Sequence, residues 1–546
     1  MRRRAVLFAV TVFLLLTTPS FGGYVDHFTK TDDIGQYKAP NKGVSHILVI
    51  RVQINDKPYD WARWEAFFDN DAPGFTFRNY YREQSLGRYD PIVTLTDPIE
   101  YETCPDQFND PTLFPNCSIS RGDPNALLPG LSLIHEIFER LTIEQPWINF
   151  ADLDINGING TPDGWLDGVI LISNLDFTGI ALPTSILYNV KITWELCAEM
   201  IEGLTPYLGG LNIDPNQVCP LLVNMTPEEI QNTPPFDQLY LLEAQGKKIG
   251  MVGIVSSLDP LIIPIHEFGH VLGFGDLYRE HYVDDPPETS TIPGLKYSMM
   301  GSYGSNYVPQ FDGFSRMRIG WANSVPVQGT MTVLIPPVLD TGEIYYFETG
   351  NEMFIVENRG PANYYDSIFS KNGLAVYHVN LLREPNPGPF GFVFMLLDCL
   401  NCDDWKPFIM NEQADGLFEL QRGITGTNAD DDLFHTGNEF PTGMNYEPPP
   451  SPTNLVLNSN NYNGRYTGFS ITDIDSDTYA PYIRATLSDN VWTVPVSKTE
   501  TTIKDEGWGC ITSGNDANIT DLLISVIMLT GGFYLISKKI KKQNYA

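Results

Sequence analysis

Apolar and polar positions along the chain follow two rhythms, and the change between them falls near residue 330. Ahead of it, His46-Ile47-Leu48-Val49-Ile50-Arg51-Val52 and Gly168-Val169-Ile170-Leu171-Ile172 are short β-branched runs of the kind that buried strands use. Apolar residues spaced three and four apart predict helices around 61–68, 78–89 and 131–141. Beyond residue 330 the chain breaks into short alternating stretches, such as 330–335 and 352–357, divided by Gly, Pro and Asn. That texture predicts a β-sandwich. The fold class expected is α+β, with a first domain over 45–329 and a β-rich domain over 330–490.

The two ends carry a different pattern. Arg2-Arg3-Arg4, an apolar run to Leu16 and then Ser20-Phe21-Gly22 have the three parts of a secretory signal over 1–22, followed by a short N-terminal segment, 23–44. Near the other end, 519–537 is almost wholly apolar and precedes Lys538-Lys539-Ile540-Lys541-Lys542. At ~1.5 Å per residue it spans a hydrocarbon core. The expectation is a C-terminal transmembrane helix after a juxtamembrane stalk, 491–518, with a cytoplasmic tail, 538–546, and the bulk of the chain at the cell surface.

One stretch carries chemistry of its own: His266-Glu267-Phe268-Gly269-His270-Val271-Leu272-Gly273-Phe274-Gly275-Asp276. Two histidines four apart on a helix project from one face, so both imidazoles can reach one Zn²⁺. Gly273 can take φ > 0, end the helix and turn the chain back, which lets Asp276 return an oxygen as third ligand. Glu267 stands where a carboxylate serves as general base toward a water activated by the metal. The spacing H-E-x-x-H-x-x-G-x-x-D is the metzincin pattern with aspartate for the last histidine. Glu280 and His281 compete with Asp276 on spacing. Tyr297-Ser298-Met299-Met300-Gly301 offers the methionine turn of such sites, through Met300 or Met299. Tyr278 and Tyr303 are candidate oxyanion donors by location.

Charge and cysteines narrow the setting. A formal charge of −33 excludes a nucleic-acid partner, because a phosphate-binding surface must be basic. Acidic residues also gather locally: Asp152, Asp154, Asn156, Asp163 and Asp167 alternate with a glycine turn as in a calcium loop, so a structural Ca²⁺ is expected beside the catalytic zinc. Six of the seven cysteines form short-range couples, Cys104 with Cys117, Cys197 with Cys219 and Cys399 with Cys402, which suits disulfides in an oxidising compartment. Cys510 is left over.

Several separated landmarks resemble the immune-inhibitor-A family of secreted zinc metallopeptidases. They are Tyr80-Tyr81-Arg82-Glu83-Gln84-Ser85-Leu86-Gly87, the acidic loop from Asp152 to Asp167, the zinc stretch from His266 to Tyr278, Glu357-Asn358-Arg359, Gly373-Leu374-Ala375-Val376-Tyr377-His378-Val379 and Gln413-Ala414-Asp415-Gly416. The resemblance implies a metzincin-like catalytic domain followed by a β-rich domain, and endopeptidase activity on proteins or peptides. Its expected parts are zinc on His266, His270 and Asp276 with Glu267 as base. Two rivals remain: a surface binding or adhesion protein on an inactive peptidase scaffold, and a zinc hydrolase of a non-peptide bond.

Overall fold

The structure is a computed structural model that describes residues 39–55, 57–105, 118–119, 127–157, 160–177, 180–183, 242–277, 295, 297–301, 307–350, 352–362, 364–381, 408–415, 429–440 and 467–489. All of them belong to one compact unit, Met1–Trp492.

In chain order the first half contributes β1 (Gly43–Ile54), α1 (Trp61–Phe67), α2 (Phe77–Gln84), β2 (Tyr89–Leu95), β3 (Ile99–Tyr101), β4 (Ser118–Ile119), α3 (Leu127–Glu144), β5 (Val169–Ser173), β6 (Asp176–Phe177) and β7 (Ile180–Pro183). The hairpin β8 (Leu242–Ala244) and β9 (Lys247–Ile249), the strand β10 (Met251–Ser256) and the helix α4 (Ile263–Val271) follow. Five of these strands lie in the order β2-β1-β5-β10-β7, and β3 extends the β2 edge of β1. Their pairings are parallel except at β7, which runs antiparallel to β10. The parallel strands explain the unbroken apolar runs of the sequence: β5 and β10 are buried at every position, because both faces of the sheet are covered.

The second half begins with α5 (Gly313–Arg318), then β11 (Asn323–Pro326), β12 (Thr330–Ile335), α6 (Val338–Thr341), β13 (Glu343–Thr349), β14 (Glu352–Arg359), β15 (Gly373–Asn380), β16 (Ile409–Glu412), β17 (Ser470–Asp475) and β18 (Ile483–Ser488). They form a sheet β11-β13-β14-β15-β16 and a smaller one, β12-β18-β17. Strand β14 shows how the layers stack. Met353 and Ile355 belong to the core that holds Phe268 and Met300, whereas Phe354 and Val356 belong to a second core shared with Ile471 and Leu487. Successive side chains of a strand point to opposite faces, so one strand serves two cores. The core therefore runs uninterrupted across residue 330.

The expected α+β class with a membrane-spanning C-terminal helix is corrected: the fold is mixed α/β, mostly sheet with few helices. Among the described residues no helix is long and apolar enough to cross a membrane. The longest, α3, carries Glu136, Glu139, Arg140 and Glu144, and α1, α2 and α4 have only 7 to 9 residues. Residues 1–22 and 519–537 lie outside the described residues. So do Cys197, Cys219, Cys399, Cys402 and Cys510; Cys104 is disulfide-bonded, and its expected partner Cys117 also lies outside.

Candidate metal centre

Helix α4 begins where side chains from α1 hold its approach. Trp64 Nε1 donates to the Ser257 carbonyl (3.0 Å), and Arg63 Nη2 reaches the same carbonyl (3.2 Å). Pro264 falls in the first turn, where the missing N–H costs nothing. Every residue of the helix is buried, so its face toward the sheet and its face toward the methionine turn are both fixed by packing. Tyr81 of α2 adds a hydrogen bond from its hydroxyl to the Ile265 carbonyl (2.6 Å).

The helix ends in a Schellman motif. Phe274 N–H donates to Gly269 O (3.0 Å), and Gly273 N–H to His270 O (2.8 Å), with Gly273 at φ +99°. This left-handed residue is what reverses the chain and carries Asp276 back over the histidines. Leu277 N–H then donates to Met300 O (2.9 Å) and ties the returning strand to the methionine turn.

The three expected ligands come together. His266 Nε2 lies 3.0 Å and His270 Nε2 3.3 Å from Asp276 Oδ1. Tetrahedral zinc ligands at about 2.0–2.1 Å from the metal lie about 3.3 Å from one another, so the two edges that end on Asp276 Oδ1 already have the length a zinc ion needs. The other ring nitrogens are accounted for. His266 Nδ1 donates to the Met299 carbonyl (2.9 Å) and His270 Nδ1 to the Phe274 carbonyl (2.8 Å). A carbonyl only accepts, so each Nδ1 carries a proton, and Nε2 is the atom that a metal would take on the neutral ring. The donor set, two imidazoles that bind a metal through Nε2 and a carboxylate, fits Zn²⁺. Among the described residues it is the group of His, Cys, Asp or Glu side chains that converges closely enough for a metal. Glu280 and His281 lie outside the described residues, as do Tyr278 and Tyr303.

The three side chains also act on one another. Burial pushes His270 down, but the Asp276 carboxylate outweighs it and, with Glu267, raises the imidazole to about 9. Asp276, whose own burial works the other way, is held below the usual carboxylate range by the two histidines. Glu267 is buried, and its charge reaches His270.

Of the two methionines, Met300 has its sulfur against Gly269, the helix residue just before His270. Met299 contributes its carbonyl to His266. Sequence reading did not find what holds this turn. Arg359 Nη2 donates to Tyr297 O (2.7 Å) while the same guanidinium pairs with Glu357 (3.0 Å) and Asp366 (2.7 Å), and Arg316 completes the cluster on Glu357 (3.1 Å). The segment Glu357-Asn358-Arg359 gave the signal, without its reason.

The expected calcium residues are placed differently. Asp154 Oδ1 accepts from Asp163 N–H (3.0 Å), and its Oδ2 accepts from Gly164 N–H (2.9 Å) and the Lys247 ammonium (2.6 Å). Asp167 accepts from the backbone of His46 (2.9 Å) and of Asn156 (3.1 Å), and burial pushes it up to about 7. Asn156 turns its amide to Lys42 O and Ser45 Oγ, and Asp152 is exposed. A calcium ion needs oxygens facing one point; here N–H donors and an ammonium reach the buried carboxylates of Asp154 and Asp167, while Asp163 Oδ1 accepts from Trp165 N–H (3.0 Å).

No family model matches the chain, and no curated protein matches it.

Proposed function

We propose that the chain is a zinc-dependent endopeptidase. What supports this reading is a single geometric fact: two imidazole Nε2 atoms converge on the Asp276 carboxylate while both Nδ1 atoms are tied to carbonyls, with Glu267 buried one residue from His266. His266, His270 and Asp276 would hold the ion, which when bound supplies a Lewis acid that activates water and polarises a carbonyl. Glu267 receives the proton of the attacking water and returns it to the departing amine. Its position on the rigid helix, between ligand and sheet, lets it do both without a change of conformation. Met299 and Phe274 keep the imidazoles in the tautomer that binds metal. The resemblance to the immune-inhibitor-A peptidases rests on residues and points the same way.

The test is cleavage of a denatured protein by the purified chain. Glu267→Gln keeps zinc at one per chain and lowers kcat by roughly 10²–10⁴, whereas Asp276→Ala loses the metal. Unchanged cleavage by Glu267→Gln refutes the mechanism. Cleavage of esters with none of peptides assigns the site to another hydrolase.

A further inference from the structure

The Schellman turn leaves one carbonyl at the end of the zinc helix to be satisfied from elsewhere. Gly269 and His270 have partners inside the turn, but Val271 O takes its hydrogen bond from Ala39 N–H (2.7 Å), a residue of the segment ahead of β1. Ala39 is buried. The residues that follow it are held by three further elements. Asn41 O accepts from Trp321 Nε1 (2.7 Å), Lys42 O accepts from the amide of Asn156 (2.5 Å), and Gly43 N–H donates to Arg88 O (2.7 Å). Asn156 of the acidic loop thus grips this segment. Trp321 in turn stacks on Tyr89 and meets Phe274 edge to face, and Phe274 is the residue whose carbonyl orients His270.

We propose that residues 39–43 are a strap retained in the working protein: Ala39 is a positioning residue that fixes the end of the zinc helix, and proteolytic trimming of the N-terminus must stop ahead of it. This segment supplies the hydrogen bond to Val271 O that the turn itself leaves unmet. The activity part of this inference rests on the zinc-peptidase reading, while the strap itself rests on the hydrogen bonds alone.

Four proteins test it: the full chain, the full chain with Ala39→Pro, the full chain with Ala39→Gly, and a chain starting at residue 44. Pro removes the N–H and Gly keeps it. Two quantities are read, amide hydrogen exchange over Val271 to Phe274 and the rate of zinc release to a chelator. The expectation is exchange and zinc release at least 10-fold faster in Ala39→Pro and in the shortened chain, with Ala39→Gly like the full chain. Equal exchange in the full chain, Ala39→Pro and the shortened chain overturns the strap. If no version binds zinc, the metal reading fails, and exchange still decides the strap. Should the shortened chain fail to fold, the contrast between Ala39→Pro and Ala39→Gly decides it. Sequencing the N-terminus of the naturally processed protein is an independent test: a start at or ahead of residue 39 supports the proposal, and a start beyond it overturns it.

Discussion

A methyl group built on Gly269 would lie 2.5 Å from the sulfur of Met300. Gly269 stands between the two histidines on α4, and Met300 is wholly buried, so a side chain at 269 has to push the methionine aside within a packed core. Glycine here is a steric requirement of the methionine turn passing beneath the helix.

Gly269→Ala is therefore expected to cost about 1–3 kcal/mol through overpacking and to weaken zinc retention by tilting the histidines apart. Shortening the other partner relieves the conflict. A double-mutant cycle with Met300→Ala checks this: the double variant is less destabilised than the two single effects added together. Simple additivity would show that the two residues do not press on each other.

Lys247 and Asp154 make a different kind of contact. The ammonium sits on a carboxylate whose side chain has no exposed surface, while the lysine keeps 22% of its own. Lys247→Met leaves Asp154 with backbone donors only, at a cost of about 1–3 kcal/mol. Thermal unfolding with and without millimolar Ca²⁺ completes the prediction. The unaltered chain melts at the same temperature in both, and a rise with Ca²⁺ would mean that the acidic loop takes the ion after all.

Asp167 gives a pH dependence with a definite sign. Its carboxyl is pushed up to about 7 by burial, against ~3.9 in an unfolded chain. Between these values the folded protein holds a proton that the unfolded chain has released. The stabilisation from this group is thus complete below pH ~4, falls as pH rises to ~7, and is gone above. A shift of roughly 3 units corresponds to at most about 4 kcal/mol. Asp167→Asn removes this slope. Urea unfolding of both proteins at pH 4.5, 6 and 8 measures it, and parallel curves would contradict the assignment.

How much of this was legible in the chain depends on sequence distance. His266, Glu267, His270, Gly273 and Asp276 act through spacings of one to four residues, which a helix and one left-handed turn convert directly into geometry. The strands around Ile47 and Ile170 were equally local. The partners of Val271, Asp154 and Tyr297 are Ala39, Lys247 and Arg359, each far away in sequence, and no periodicity brings such pairs together. The acidic loop is ambiguous for a related reason: a row of Asp and Asn looks the same whether a metal or a lysine from a neighbouring hairpin neutralises it. Strand β14 reads as half of a two-sheet sandwich, because alternation reveals two faces without saying that both are covered.

The buried cluster around Arg359 yields the largest expected effect. Its guanidinium is fully enclosed, pairs with Glu357 and Asp366, and holds the Tyr297 carbonyl at the start of the methionine turn. The carboxylates keep it charged and raise it well above its ordinary range, despite burial. Arg359→Met leaves the buried Asp366 without its cation and Glu357 with Arg316 alone, and breaking such a pair costs about 3–5 kcal/mol. Arg484, half-exposed and 4.0 Å from Asp475, is the control: Arg484→Met costs about 0–1 kcal/mol, as surface pairs do. Because Tyr297 loses its donor, Arg359→Met also lets Met299 drift from His266 Nδ1, so zinc is released faster even at temperatures where the variant stays folded. Melting temperature and chelator-driven zinc release, measured together, separate the two effects. If Arg359→Met melts like Arg484→Met, the cluster does not support the methionine turn.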